Sequence, residues 1–194
     1  EEEGKKLVIV GLNATKEPDM RLVGLFTDIR EEKVAEVIHM LLCMNEVNKI
    51  EPDEEKKKDI EFYLSTYGGS ADDMFALYDA MKLVQKDTDI SVIGMGKVMS
   101  AGVLILAGGT HGKRKIGKNC RVMIHSVIGA NVGNIHNLIN EMEAIQDLQE
   151  MYIDCLVQET KMTKRQLKKL LERKVDIYLS AEQAIEYGIA DEII

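Results

Sequence analysis

Residues 62–107 read FYLSTYGGSADDMFALYDAMKLVQKDTDISVIGMGKVMSAGVLILA, and the alternation of element types in this stretch decides the fold class. Phe62-Tyr63-Leu64 is a short apolar strand that runs into the glycine pair Gly68-Gly69. Met74, Leu77, Tyr78, Met81 and Val84 then recur at three- and four-residue steps, the spacing of one helix face. Ile90 to Met95 predicts a second strand, closed by Gly96, and Ala101 to Ala107 reopens a helical apolar run. Strand, glycine turn, helix, repeated in this order, predicts β-α crossovers, and a crossover returns the chain parallel to the strand it left. The expected class is α/β.

The flanks extend the same pattern. Leu7 to Leu12 and Leu22 to Phe26 are strand-length apolar runs separated by a polar connector with Pro18, and Val34, Val37, Ile38, Leu41, Leu42 and Met44 mark a helix from Arg30 to about Val47. Asn48 to Asp59 carries nine charges and a proline and reads as a solvated connector or helix start. Beyond the basic turn His111 to Lys118, Arg121 to Ile124 predicts a strand ending in His125. A glycine-punctuated segment, Val127 to Asn134, leads into a long helix from Ile135 to about Thr160. A basic helix (Thr163 to Lys174), a strand (Ile177 to Leu179) and a helix with both caps written locally (Ser180 to Tyr187, Gly188 beyond it) complete the chain.

Composition narrows the function classes. The chain has 194 residues, 45% hydrophobic and 30% charged, enough for one compact domain with a sizeable core. A formal charge of -8 is the wrong sign for a nucleic-acid footprint, so no nucleic acid is expected as a partner. No apolar run approaches the ~20 residues that cross a bilayer, and Glu1-Glu2-Glu3-Gly4-Lys5-Lys6 lacks a signal-peptide pattern, so no membrane and a cytoplasmic address are expected. Cys43, Cys120 and Cys155, odd in number and widely spaced, read as reduced thiols. The four histidines have no metal-ligand spacing, and neither a P-loop Lys-Ser/Thr nor G-x-G-x-x-G is present, so neither metal nor cofactor is expected.

Three places could carry chemistry. Ser100 leaves a strand in the small-residue turn Gly96-Lys97-Val98-Met99-Ser100-Ala101-Gly102, where a hydroxyl projects beside helix N–H groups; the plainer alternative is a helix N-cap. Gly68-Gly69 sits at a strand end, where backbone N–H groups can approach a ligand closely or simply form a turn. His125 closes an apolar strand, either as a satisfied core group or as the base a serine nucleophile needs near neutral pH.

Tyr67-Gly68-Gly69, Met95 through Ser100 to Gly109, Gly112-Lys113-Arg114, Asn119 to His125 and Tyr178 to Asp191, taken in order and with His125 falling 25 positions after Ser100, resemble the proteolytic-subunit family of the Clp protease, ClpP. The likeness runs from about Arg21 to the C-terminus, with residues 1–20 a divergent segment in place of the family's axial-pore loop, 21–194 the peptidase domain, and a handle over about 126–160. It implies a crotonase-like α/β fold and a serine endopeptidase built as two stacked heptameric rings. Partners implied are other copies of the chain, unfolded polypeptides and a separate AAA+ Clp ATPase; a catalytically idle ring subunit of a mixed complex is the alternative.

By the same resemblance Ser100 is the nucleophile and His125 the general base, with the N–H groups of Gly69 and Ala101 as the oxyanion hole. The triad acid falls on Glu172 by ungapped alignment, or on Asp176, which lies closer to the strand. Val127, Ile128, Gly129, Ala130, Asn131, Val132 and Gly133 match the strand that pairs with extended substrate. Glu61 and Tyr63 match the aromatic positions of the ATPase-docking pocket, one of them now a carboxylate. Lys97 replaces a neutral residue.

Overall fold

The computed structural model describes residues 21–172 and 175–194; the strand expected at Leu7–Leu12 and the rest of the N-terminal segment lie outside them. Strands β1 (Leu22–Leu25), β2 (Ile60–Thr66) and β3 (Ile90–Met99) alternate with helices α1 (Glu31–Ile50), α2 (Ala71–Val84) and α3 (Ala101–Ala107). Then follow β4 (Lys115–Ile116), β5 (Arg121–Ile124), α4 (Ile135–Glu159), α5 (Lys164–Leu171), β6 (Ile177–Leu179), α6 (Ala181–Glu186) and β7 (Glu192–Ile193). The sheet runs β1-β2-β3-β4-β7, with β5 beside the far half of β3 and β6 beside β5. Every pairing is parallel except β5 with β6, so the α/β expectation is met.

Local sequence explains the central elements. In β2 the residues Ile60, Phe62, Leu64 and Thr66 alternate inward while Glu61, Tyr63 and Ser65 face away, the period-two pattern of a strand with one covered face. Helix α3 is apolar all round and all seven residues are buried, as a helix enclosed by sheet and neighbouring helices must be. It packs on β3, α2 and α4, and so anchors the turn that precedes it.

β3 runs on to Met99, past the stop expected at Gly96. Gly96 instead takes φ 67 inside the strand, where its left-handed conformation costs a glycine little. Leu64 faces Gly94 but Thr66 already faces Val98, so β3 carries two extra residues opposite β2. The bulge re-aims the strand. Before it, Ile93 and Gly94 pair with β4; after it, Lys97, Val98 and Met99 pair with β5.

The charged stretch after Asn48 is solvated as expected, with no buried residue from Lys49 to Asp59, but α1 outruns its expected end near Val47. Helix α1 continues to Ile50 because Asn48 is buried and donates to Thr88 Oγ1 (2.9 Å) and to the Lys58 carbonyl (3.0 Å), while Thr88 Oγ1 donates to Asn45 Oδ1 (2.7 Å). Only Glu54–Lys56 forms a further turn of 3-10 helix. The two-residue strands β4 and β7 lie inside stretches whose sequence gives no strand pattern; they form because tertiary neighbours supply the partner.

Two buried polar clusters tie the C-terminal half to the sheet. Glu159, at the end of α4, accepts from Tyr78 Oη (2.6 Å), Lys82 Nζ (2.7 Å) and His111 Nε2 (2.9 Å). Burial alone would raise its carboxyl, but the Lys82 and Tyr78 hydrogen bonds outweigh that and hold it below the usual value. Arg114, 3% exposed, donates to the carbonyls of Ala107 (3.1 Å) and Glu159 (2.6 Å) and makes a two-pronged pair with Asp191 (2.8 and 2.6 Å). All three cysteines are free thiols, and burial pushes that of Cys120 up to about 11.

Burial acts to raise the Asp191 carboxyl too, yet the Arg114 side chain and the N–H groups of Arg114 and Gly112 hold it below the usual range. A carboxyl depressed in the folded state stabilises the fold above its unfolded value, near ~3.9, and loses that contribution as pH falls through the folded value. Asp191→Asn is therefore expected to cost about 3 kcal/mol at neutral pH by leaving Arg114 under-compensated, and to flatten the fall in urea midpoint below about pH 4 that the unsubstituted chain shows.

Candidate active site

The bulge in β3 brings its end, Met99, beside the end of β5, and the chain turns into α3 at Ser100. Ser100 has φ 55 and ψ −124 and is the one non-glycine residue at positive φ among those described. Its hydroxyl makes no N-cap bond to α3, so the plain capping alternative does not hold. Instead Oγ lies 2.7 Å from His125 Nε2. The Ser100 N–H donates to the Met123 carbonyl (2.8 Å), which docks the turn on β5 two residues before the histidine.

Gly68 is the second wall. It sits at φ 104, and a Cβ added there would lie 2.6 Å from the Ser100 Cβ, so only glycine permits this approach. Its N–H bonds Thr66 Oγ1 (3.0 Å) and its carbonyl accepts from the Ile29 N–H (2.8 Å). Ser70 N–H in turn bonds the Ile29 carbonyl (2.9 Å), which leaves the intervening Gly69 N–H with no partner among the described residues. Ala101 opens α3, where an N–H has no carbonyl one turn earlier to bond, and it too is unpartnered. Gly69, Ala101, Ser100 and His125 line one cavity of about 370 Å³, together with Met74, Met123, Ile128 and Tyr152.

The two candidate acids separate. Asp176 Oδ1 lies 3.9 Å from His125 Nδ1, ion-pair range but beyond a hydrogen bond, and its side chain is half exposed. Glu172 caps α5 and has neither ion pair nor hydrogen bond to His125; it borders a neighbouring depression with Lys168 and Gln149. Lys97 lies over the Tyr67 ring at 4.5 Å and makes a cation-π contact there.

Val127–Gly133, expected to pair with extended substrate, joins no ladder among the described residues, and a lone extended run has nothing to bond its N–H and C=O groups to. Only Val127 N–H reaches a side chain across the fold, Gln149 Oε1 at 3.2 Å. Farther away, on the outer side of β2, Tyr63 Oη donates to Glu61 Oε2 (3.0 Å), and that bond raises the Tyr63 phenol above its ordinary value.

Sequence reading missed one residue at the site. Tyr152 falls at helical spacing with Leu138, Met142, Ile145, Leu148 and Met151, a stripe whose pattern reads as a face for a partner; in the structure it is 4% exposed, and its hydroxyl donates to the Ser100 carbonyl at 3.2 Å. The stripe divides: Leu148 packs on the core, whereas Leu138, Met142 and Met151 are exposed. The available signal was that Tyr152 is the one aromatic residue in α4.

A serine hydroxyl bonded to an imidazole, beside two unpaired backbone donors, is an arrangement suited to acyl transfer. Fold and site agree with sequence comparison: the Clp protease family profile matches residues 15–194, and the chain belongs to that family of peptidases. Among curated relatives it is 31% identical to the ATP-dependent Clp protease proteolytic subunit of Oltmannsiellopsis viridis over 173 residues, 89% of this chain and 83% of that one. No helix of the described residues is long and apolar enough to cross a membrane.

Because Gly68 approaches Ser100 so closely, Gly68→Ala is expected to destabilise the fold by about 2–4 kcal/mol, from positive φ plus a backbone-level clash. The midpoint of chemical denaturation reports the loss, and a midpoint equal to that of the unsubstituted chain would contradict the close-approach argument.

Proposed function

We propose that this chain is a serine endopeptidase that cleaves peptides and unfolded proteins, and the 2.7 Å contact between Ser100 Oγ and His125 Nε2 carries the reading. As Oγ attacks a peptide carbonyl, His125 takes its proton, and the N–H groups of Gly69 and Ala101 receive the oxyanion. The imidazolium then protonates the leaving amine, and water, deprotonated by the same histidine, releases the acyl group. Asp176 supplies the carboxylate that orients Nδ1; closing its 3.9 Å gap to a hydrogen bond requires a small movement of a half-exposed side chain.

Substrate is a main chain in extended form. Val127–Gly133, unladdered and exposed from Ile128 onward, offers its edge to pair with it, which binds peptides of many sequences. Assembly is two stacked heptameric rings, supported by the exposed Ile135, Ile139 and Met142 at the outer end of α4, apolar groups that require a covering surface. An AAA+ Clp ATPase docks over Glu61 and Tyr63, with ATP consumed by that partner.

Ser100→Ala is expected to abolish hydrolysis of short fluorogenic peptides, by at least ~10³-fold as a nucleophile's loss does, while sedimenting as the same large oligomer as the unsubstituted protein. Residual activity near the original would remove Ser100 from the mechanism; an unsubstituted protein without activity would favour an idle ring subunit. Asp176→Asn is expected to lower kcat about 10²-fold or more and Glu172→Gln to leave it within about twofold, with the reverse result assigning the acid to Glu172.

A further inference from the structure

The peptide unit that joins Ser100 to Ala101 has two ends, and both are committed. Its N–H belongs to Ala101 and lines the cavity beside Ser100 Oγ; its carbonyl, on the opposite side of the same plane, accepts from Tyr152 Oη at 3.2 Å and from the Val103 N–H at 3.0 Å. A trans peptide is rigid, so whatever fixes the oxygen fixes the direction of the hydrogen.

We infer that Tyr152 is a positioning residue for the oxyanion hole: its hydroxyl holds the Ser100–Ala101 peptide from behind, aiming the Ala101 N–H at the site where negative charge develops. The inference rests on the acyl-transfer reading above. Three features carry it. First, the bond is made to a peptide at a strained position, φ 55 and ψ −124, where the backbone relaxes unless its surroundings hold it. Second, a hydrogen bond accepted by a carbonyl polarises that amide and makes its N–H a better donor, so the phenol both aims and strengthens the hole. Third, Tyr152 is enclosed: burial pushes its phenol well above the ordinary value, so the hydroxyl keeps its proton and stays a donor wherever the fold is intact.

Tyr152 also belongs to α4, whose end is pinned by Glu159 to Tyr78, Lys82 and His111. The hydroxyl is therefore delivered from an element fixed to the sheet at a second point, rather than from a loop. No other side chain donates to the Ser100 carbonyl among the described residues.

The test compares the unsubstituted protein with Tyr152→Phe, which keeps the ring and removes the donor. Labelling of Ser100 by a fluorophosphonate, with the adduct mapped by mass spectrometry, is measured first; failure of the unsubstituted protein to label there overturns the acyl-transfer reading and this inference with it. Given labelling, Tyr152→Phe is expected to slow it about tenfold and to lower kcat for a fluorogenic peptide by a similar factor, with KM within about twofold, a melting midpoint lowered by no more than the few degrees that one lost hydrogen bond costs, and a pH–rate profile of the same shape. A labelling rate within twofold of the original overturns the inference. So does a rate loss accompanied by a matching rise in KM or by a fall in melting midpoint beyond those few degrees, which marks packing alone, or a shift of the alkaline limb, which makes the phenol a proton donor.

Discussion

A residue with a side chain sits at Ser100 in a conformation that L-amino acids seldom occupy, at a cost of order 1–3 kcal/mol, and much of the surrounding structure can be read as what holds it there. The N–H is tied to β5 through the Met123 carbonyl, and the carbonyl is tied to α4 through Tyr152. The following helix is buried on every side and cannot rotate to relieve the turn. Across from it, Gly68 leaves room for the serine and no more. Strain of this kind survives only when several independent elements over-determine it, and here β2, β5, α3 and α4 all contribute.

The bulge in β3 makes that convergence possible. A regular strand would keep β2, β3 and β4 in one ladder, and β5 would have no edge to join. Two added residues at Met95-Gly96 redirect β3 so that its first half serves β4 and its last three paired residues serve β5, which carries His125. The serine and the histidine meet because one strand belongs to two neighbourhoods.

Much of this was legible in the chain. The alternation from Phe62 to Ala107 predicts parallel β-α units because apolar spacing switches between periods of two and 3.6, and β6 and α6 match their sequence bounds because the caps at Ser180 and Gly188 are local. Ser100 and His125 could be singled out by residue type at strand ends. What stayed hidden depends on distant partners. β4 is a strand only because it lies between β3 and β7, and β7 only because it lies beside β4; Gly96 reads as a strand end until the bulge is seen; and α1 outlasts its apolar pattern because Asn48 finds Thr88 and Lys58. Tyr152 looked like one more member of an apolar stripe, since periodicity gives the face of a helix but not which part of that face its own sheet covers.

The pairing of β4 with β7, locked by Arg114 and Asp191 across 77 positions, sets an order for the folding of the nascent chain. β1, β2 and β3 with their helices can associate as they leave the ribosome, since each neighbour is already made. The edge at β4 must stay open until Asp191 has been synthesised, and until then the buried guanidinium of Arg114 lacks its carboxylate. During that interval an unpaired strand edge is presented to other chains, so the span between Arg114 and Asp191 is where a chaperone's protection matters most.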